Sequence, residues 1–371
     1  MPELPTAVAA LERGMADGLH VGAQLHVSRH GQTVASVAVG EAAPGRPMTT
    51  GTLMPWFSCT KLVTAIAVAQ QWERGELDVD DPVKAHIPAF TGDGRDAVTV
   101  RHLLTHTSPL RPADGPPTLM RTELWNDAIA RIVATPLERD WRPGRRAGYH
   151  LRGSFFLLGE IVRLLDGRPF DAYVRQEIFE PLGMVDSWLA LTTEQFRRYG
   201  PRVGVMHDTT GPVAEPIEAF QRDDAFQRCV PAASGVGPVT ELVRIAEVLL
   251  GKARRGDAVV LGPQAAEAMV ARHRVDMVDE TFGAKIDWGL GVMVNSWHYA
   301  RRPAPYGYGD HASARAFGHG GVQSSLCFAD PDPERGLAVA LVCNGMPGEA
   351  ANQRRTQPVI SAVYEDLGII D

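Results

Sequence analysis

Apolar positions along the first part of this chain follow two different rhythms. Up to residue 20 they recur at Val8, Leu11 and Met15, the spacing of one helix face, which predicts an amphipathic helix. Short apolar runs at residues 23–27 and 34–39, joined across His30-Gly31, predict a β-hairpin. A third run, residues 53–57, reads as a short strand leading to Ser58. From Ser58 to residue 73 every position suits a helix, and Leu62 to Ala69 is apolar on all sides. A helix with no polar face belongs in the middle of a protein. Gly75 is placed to end it.

The pattern changes between about residues 76 and 230. Loops at 114–117 and 142–144 separate helical stretches at 123–134 and 154–165. Strands return at 288–294, 322–329 and 337–343, before a final helix over about 357–366. The expected organisation is one sheet-bearing domain built from residues 1–75 and 231–371, with 76–230 inserted as a mostly helical domain. No internal repeat is present.

A chain of 371 residues is long for one compact core, which agrees with that division. With 44% hydrophobic and 22% charged residues it has the composition of a folded globular protein. A net charge of -7, with no run of Lys and Arg, argues against nucleic acid as a partner and leaves a small molecule as the expected ligand. The four cysteines, Cys59, Cys229, Cys327 and Cys343, are widely spaced and are expected as reduced thiols. No basic and apolar leader opens the chain, and no apolar run approaches the roughly 20 residues that span a bilayer. The expectation is a cytoplasmic enzyme that needs neither membrane nor cofactor.

Candidate chemistry starts at Phe57-Ser58-Cys59-Thr60-Lys61. Residues three apart on a helix share a face, so Lys61 can set its amine beside the Ser58 hydroxyl. A serine at a helix N-terminus also gains from the positive end of the helix dipole, and burial lowers a lysine toward the range where it accepts a proton. The plain alternative is a capping serine followed by a solvated lysine. With 12 Ser and only four Lys (Lys61, Lys84, Lys252, Lys285) against 33 Arg, chance gives about 0.13 such spacings in the chain, which favours catalysis. No GxSxG elbow, HExxH helix or P-loop is present. His102 and His106 lie four apart but lack an acidic third ligand nearby, so capping and packing are the expectation and no metal is assigned.

Four segments together resemble the serine beta-lactamase-related hydrolases, the family of class C beta-lactamases, D-alanyl-D-alanine peptidases and related carboxylesterases and acyltransferases. They are Pro55-Trp56-Phe57-Ser58-Cys59-Thr60-Lys61, then residues 100–108 ending in His106-Thr107-Ser108, then Gly148-Tyr149-His150 leading to Gly159-Glu160, and Phe317-Gly318-His319-Gly320-Gly321 followed by Asp330-Pro331 and Asn344-Gly345. The resemblance implies an α+β fold, an α/β sandwich with an antiparallel sheet flanked by helices and an inserted helical domain. It implies Ser58 as nucleophile, Lys61 as its proton acceptor and Tyr149 as the second catalytic group. It places His319-Gly320-Gly321 on the strand bordering the cleft and the oxyanion hole at the backbone N–H groups of Ser58 and Val322. His150, beside Tyr149, is a candidate to bind substrate, with lining the cleft as the equal alternative.

Two departures bear on substrate. Penicillin-recognising members of that family carry Tyr-x-Asn and Lys-Thr-Gly, whereas this chain has Tyr149-His150-Leu151 and His319-Gly320-Gly321. Leu151 lacks the amide of Asn, and His319 is an ordinary imidazole rather than a fixed cation. The resemblance then points to the esterase and acyltransferase branch. A small-molecule ester hydrolase is the leading expectation, followed by a transacylase that passes the acyl group to an amine or alcohol in natural-product assembly. A beta-lactamase or cell-wall peptidase, or a silent ligand-binding relative, follows after those. Trp56, Trp125, Trp141, Trp297, Tyr306 and Tyr308 are candidates to line an aromatic cleft, each singly more at home in a core. The segment 296–310 reads as a long loop near it.

Overall fold

The computed structural model describes residues 4–115, 123–251, 254–255, 258–299 and 307–370. The two ends of the chain build one sheet. β1 (Gly22–Arg29) and β2 (Gln32–Ala43) form the expected hairpin, with His30 and Gly31 both at positive φ, 52° and 78°, as a two-residue hairpin turn requires. β3 (Arg46–Pro47) pairs with β2. The late strands are β4 (Asp287–Trp288), β5 (Met293–Val294), β6 (Phe317–Gly321), β7 (Ser325–Asp330) and β8 (Leu337–Cys343). The order across the sheet is β4-β5-β6-β7-β8-β1-β2-β3, antiparallel throughout. The fold is α+β, an antiparallel sheet flanked by helices.

Side-chain alternation divides this sheet between two cores. In β8, Leu337, Val339, Leu341 and Cys343 face one side, where α1 (Pro5–Ala16) and the C-terminal helix supply Leu4, Ala7, Leu11, Val359 and Val363. Ala338, Ala340 and Val342 face the other side, in the larger core. Small side chains there let a covering helix lie close. That core holds α2 (Thr60–Glu73), whose residues from Thr60 to Gln71 are all buried, together with α3 (Trp125–Ala134), α4 (Gly153–Asp166) and α5 (Val239–Leu249). Gly75 follows α2 at φ 75°, a conformation that terminates helices and favours glycine.

Four expected elements differ from what forms. Of residues 53–57 only Met54–Pro55 is strand, paired with Val236–Gly237, because Trp56 is already helical and Phe57 sits at φ 47°. The run 288–294 is two strands, β4 and β5, since Gly291 turns the chain at φ 78°. β7 begins at Ser325 because residues 322–324 are a turn with Gln323 at φ 47°. The last helix, α6 (Glu349–Asp366), starts eight residues early. Its first turns are held by polar contacts, with buried Arg355 donating to the carbonyls of Leu19, Gln323 and Gly345 and to Asn352 Oδ1, which an apolar pattern does not reveal.

Among the described residues no helix is long and apolar enough to cross a membrane, and no group of three His, Cys, Asp or Glu could hold a metal ion. His102 instead closes a capping box with Thr99 at the start of the Val100–Leu104 helix. None of the four cysteines is in a disulfide, and Cys59, Cys327 and Cys343 are fully buried.

Candidate active site

The turn that presents Ser58 is fastened on three sides. Trp56 N–H donates to the Gly235 carbonyl at 2.7 Å, and its indole N–H to Gly237 at 3.1 Å. The Trp56 carbonyl accepts from Ser325 Oγ of β7 at 2.6 Å, and Cys59 Sγ donates to the His319 carbonyl of β6 at 3.1 Å. Thr60 Oγ1 donates to the Phe57 carbonyl at 2.5 Å and accepts from Gly235 N–H. A 3-10 turn over Phe57–Cys59 then runs directly into α2. The need for glycine at the end of β6 follows: a Cβ on Gly321 would stand 2.4 Å from the Trp56 carbonyl oxygen. Ser58 itself is half-buried, open to a ligand.

Lys61 has no solvent exposure, yet its Nζ makes three hydrogen bonds, to Ser58 Oγ at 3.2 Å and to the carbonyls of Leu151 at 2.9 Å and Ala232 at 3.2 Å. Its ammonium also lies 4.9 Å from the centre of the Tyr149 ring. Burial pulls its pKa down to about 7, with Asp114 opposing that shift. Near neutral pH a large share of the molecules therefore carries a free amine beside the serine hydroxyl.

Tyr149 enters on the loop before α4. Its N–H donates to Asp279 Oδ1 at 3.0 Å, and its carbonyl accepts from Thr281 Oγ1. The ring is boxed by His106, Phe282, Trp288 and His319 at centroid distances from 4.7 to 5.9 Å. Burial pushes the phenol's pKa well above its usual value, and a hydrogen bond with Ser58 pulls the other way. Tyr149 is thus a protonated phenol in contact with Ser58.

The β6 residues lie on the far side of Ser58. His319 is buried, its Nδ1–H donating to the Gly320 carbonyl at 2.7 Å, and burial followed by the nearby Lys61 lowers its pKa to about 3. It is a neutral imidazole. Gly320 and Gly321 continue the strand, and Val322, the first residue beyond it, is exposed at 39%. Leu151 is exposed at 50%, while its carbonyl stays on Lys61. Two apolar side chains are therefore presented near the serine.

The structure brings Ser58, Lys61, Tyr149 and His319 together, with Gly320, Gly321 and Val322 following His319 along and just beyond β6, but it does not bring the His150 side chain there. That side chain is fully buried, Nε2–H donating to the Ser108 carbonyl at 3.0 Å and Nδ1 accepting from Ser154 Oγ at 2.5 Å. The His150 ring instead packs against His106, which lies between it and the Tyr149 ring, and the His150 backbone N–H donates to His106 Nδ1 at 3.0 Å. The aromatic residues also pack elsewhere. Trp56 and Trp141 are buried with bonded indoles, and Tyr308 stacks on Phe328 and donates to the Met293 carbonyl. Trp125 packs against Phe156 and Phe170 and donates to Glu160, while Trp297 sits in a half-buried 3-10 turn. Tyr306, and residues 300–306 of the expected loop, lie outside the described residues.

Two carboxylates that the residue pattern does not single out hold the tyrosine loop. Asp114 accepts the N–H groups of Leu151, Arg152 and Gly153, each at 2.7 Å, at the start of α4. Asp279 accepts from Tyr149, Thr281 and Phe282 and pairs with buried Arg274 at 3.1 Å. Both act across more than 35 residues of chain, and the signal for Asp114, an Asp-Gly pair, reads equally as a loop.

A family model described as Beta-lactamase matches residues 7–363. The chain is 32% identical over 197 residues to the esterase EstB of Burkholderia gladioli, an overlap of 48% of this chain and 49% of that protein, about half the length of each. Among solved structures, a penicillin-binding protein homolog from Caulobacter crescentus superposes with a TM-score of 0.81 at 28% identity, over 98% of this chain and 97% of that one. EstCE1, described as a hydrolase with promiscuous acyltransferase activity, superposes with a TM-score of 0.79 at 21% identity, over 97% and 98% of the two chains, a likeness of fold.

Proposed function

The chain belongs to the beta-lactamase family, and from that membership we propose that it is a serine hydrolase that cleaves small-molecule esters through an acyl-enzyme on Ser58. The observation that carries this reading is the hydrogen bond from buried Lys61 to Ser58, made by an amine whose pKa is lowered to about 7. Neutral Lys61 takes the Ser58 proton as Oγ attacks the ester carbonyl. The oxyanion that forms is assigned to the backbone N–H groups of Ser58 and Val322. Tyr149 protonates the departing alkoxide and is reprotonated from Lys61, and water then releases the acid by the same path in reverse.

Ester rather than beta-lactam is favoured by the rim. Neutral His319 stands where a carboxylate-bearing donor would want a cation, Leu151 and Val322 are apolar, and the chemistry needs Lys61 itself neutral. Fully buried His150 has no part in binding the ester.

The test is intact-mass analysis after mixing with 4-nitrophenyl acetate, with wild type beside Ser58→Ala. An acetyl increment on the wild type alone, with turnover to acetate, supports the proposal. No increment and no turnover across a panel of activated esters overturns it. A rise in rate with added amine, and amide as product, would reassign the protein as a transacylase.

A further inference from the structure

Five titratable groups face Lys61 from the elements packed around it: Cys59 in the turn that opens its helix, Asp114 before α4, Tyr149 in the loop, His106 against the Tyr149 ring and His319 on β6. Burial raises Cys59 to about 12 and Tyr149 higher still, and lowers His319 to about 3 and His106 well below its usual value. All four are uncharged near neutral pH. The fifth, Asp114, accepts on both oxygens, Oδ2 from Leu151 N–H and Oδ1 from Arg152 and Gly153 N–H, as a carboxylate does. The residue it grips by the N–H, Leu151, is the one whose carbonyl receives Lys61.

We infer that Asp114 is a positioning residue for the proton acceptor: it holds the Leu151 carbonyl against Lys61 Nζ and supplies the one negative charge that faces that nitrogen among the described residues. The inference rests on the proposed roles of Ser58 and Lys61. Its neighbours on the other side are the Arg152 guanidinium, which donates to the Asp114 carbonyl, and Arg131, which donates to Ala113 at 2.5 Å. Neither cation is among the groups that shift Lys61, whose charged neighbour is Asp114. Without Asp114's charge, the buried ammonium has only neutral dipoles for company, and it gives up its proton at lower pH.

The experiment is the pH dependence, from pH 5 to 9, of the second-order rate at which an alkyl fluorophosphonate phosphonylates Ser58 with loss of fluoride, in wild type, D114N, D114S and D114E. Asn and Ser are both favoured capping residues, so at least one uncharged variant retains the α4 start. The expected result is an acid limb moved down by about one pH unit in D114N and D114S, as loss of a neighbouring opposite charge requires, and left in place by D114E. A limb that stays put in the uncharged variants while the rate or the melting temperature falls makes Asp114 a structural cap and overturns the inference. Lys61→Ala separates the two levels. Full reactivity of that variant overturns the role of Lys61, whereas its loss beside an unmoved limb in D114N overturns only the role of Asp114.

Discussion

The N–H of Tyr149 donates to Asp279 Oδ1 across 3.0 Å, joining residues 130 positions apart. The same carboxylate carries Arg274 at 3.1 Å, with both side chains essentially without exposure. Removing one member of a buried pair leaves the other charge stranded, at a cost of about 3–5 kcal/mol. Asp279→Ala is therefore expected to lower the unfolding free energy in a urea melt by that order, and to cut kcat in whatever protein remains folded because the tyrosine loop loses its anchor. A melt unchanged within about 0.5 kcal/mol would contradict this.

Lys61 sets the acid limb of activity. Its folded-state pKa is lowered from 10.5 to about 7, chiefly by burial, and the base form is the neutral amine. Hydrolysis of an activated ester should climb about tenfold per pH unit below 7 and level off above it, with Tyr149 still protonated there. The stability sign follows from the same shift. Between about 7 and 10.5 the unfolded chain holds a proton on Lys61 that the folded chain has lost, so this group makes stability rise with pH across that window. A pH–rate profile and melts at pH 7 and 9 of wild type and Lys61→Met isolate the contribution.

Tyr149→Phe removes the phenol and keeps the ring among His106, Phe282 and Trp288. The expectation is a loss of roughly 10²–10⁴ in kcat, the usual worth of a positioned general acid, with little change in melting temperature. Esters with very good leaving groups should suffer least, since 4-nitrophenolate departs without a proton. Equal losses for 4-nitrophenyl and alkyl esters would count against a proton-donating role.

The contact between Ser58 and Lys61 and the division of the sheet were legible because they depend on local geometry. The i, i+3 spacing of Ser58 and Lys61 is a helix property, and the alternation in β8 separates the two cores as a strand must. The supporting carboxylates were not, since Asp114 and Asp279 act through backbone N–H groups, which every residue has and no side-chain pattern marks. His150 failed for a related reason. Its neighbour Tyr149 faces the serine, and only the observed hydrogen bonds show that the next side chain faces Ser108 and Ser154. The run 53–57 read as strand because apolar character is common to strands and to a buried strained turn, and periodicity over five residues does not separate them.

That strained turn yields the most discriminating stability test. Phe57 lies at φ 47°, the left-handed region that costs a residue with a Cβ about 1–2 kcal/mol, and its ring packs edge-on against Phe220 at 5.7 Å. Phe57→Ala and Phe57→Gly both delete the ring, so both lose the same packing. Alanine keeps the backbone penalty and glycine escapes it. Against this, glycine loosens the unfolded chain, at a cost of about 0.4–1 kcal/mol. The backbone term is the larger, so F57G should be the more stable of the two by up to about 1 kcal/mol, the reverse of their usual order at a position leading into a helix. Urea melts of the pair decide it. If F57A proves the more stable, the residue before the nucleophile is relaxed in solution and Ser58 is held by its hydrogen-bonded neighbours, Trp56 and Cys59, alone.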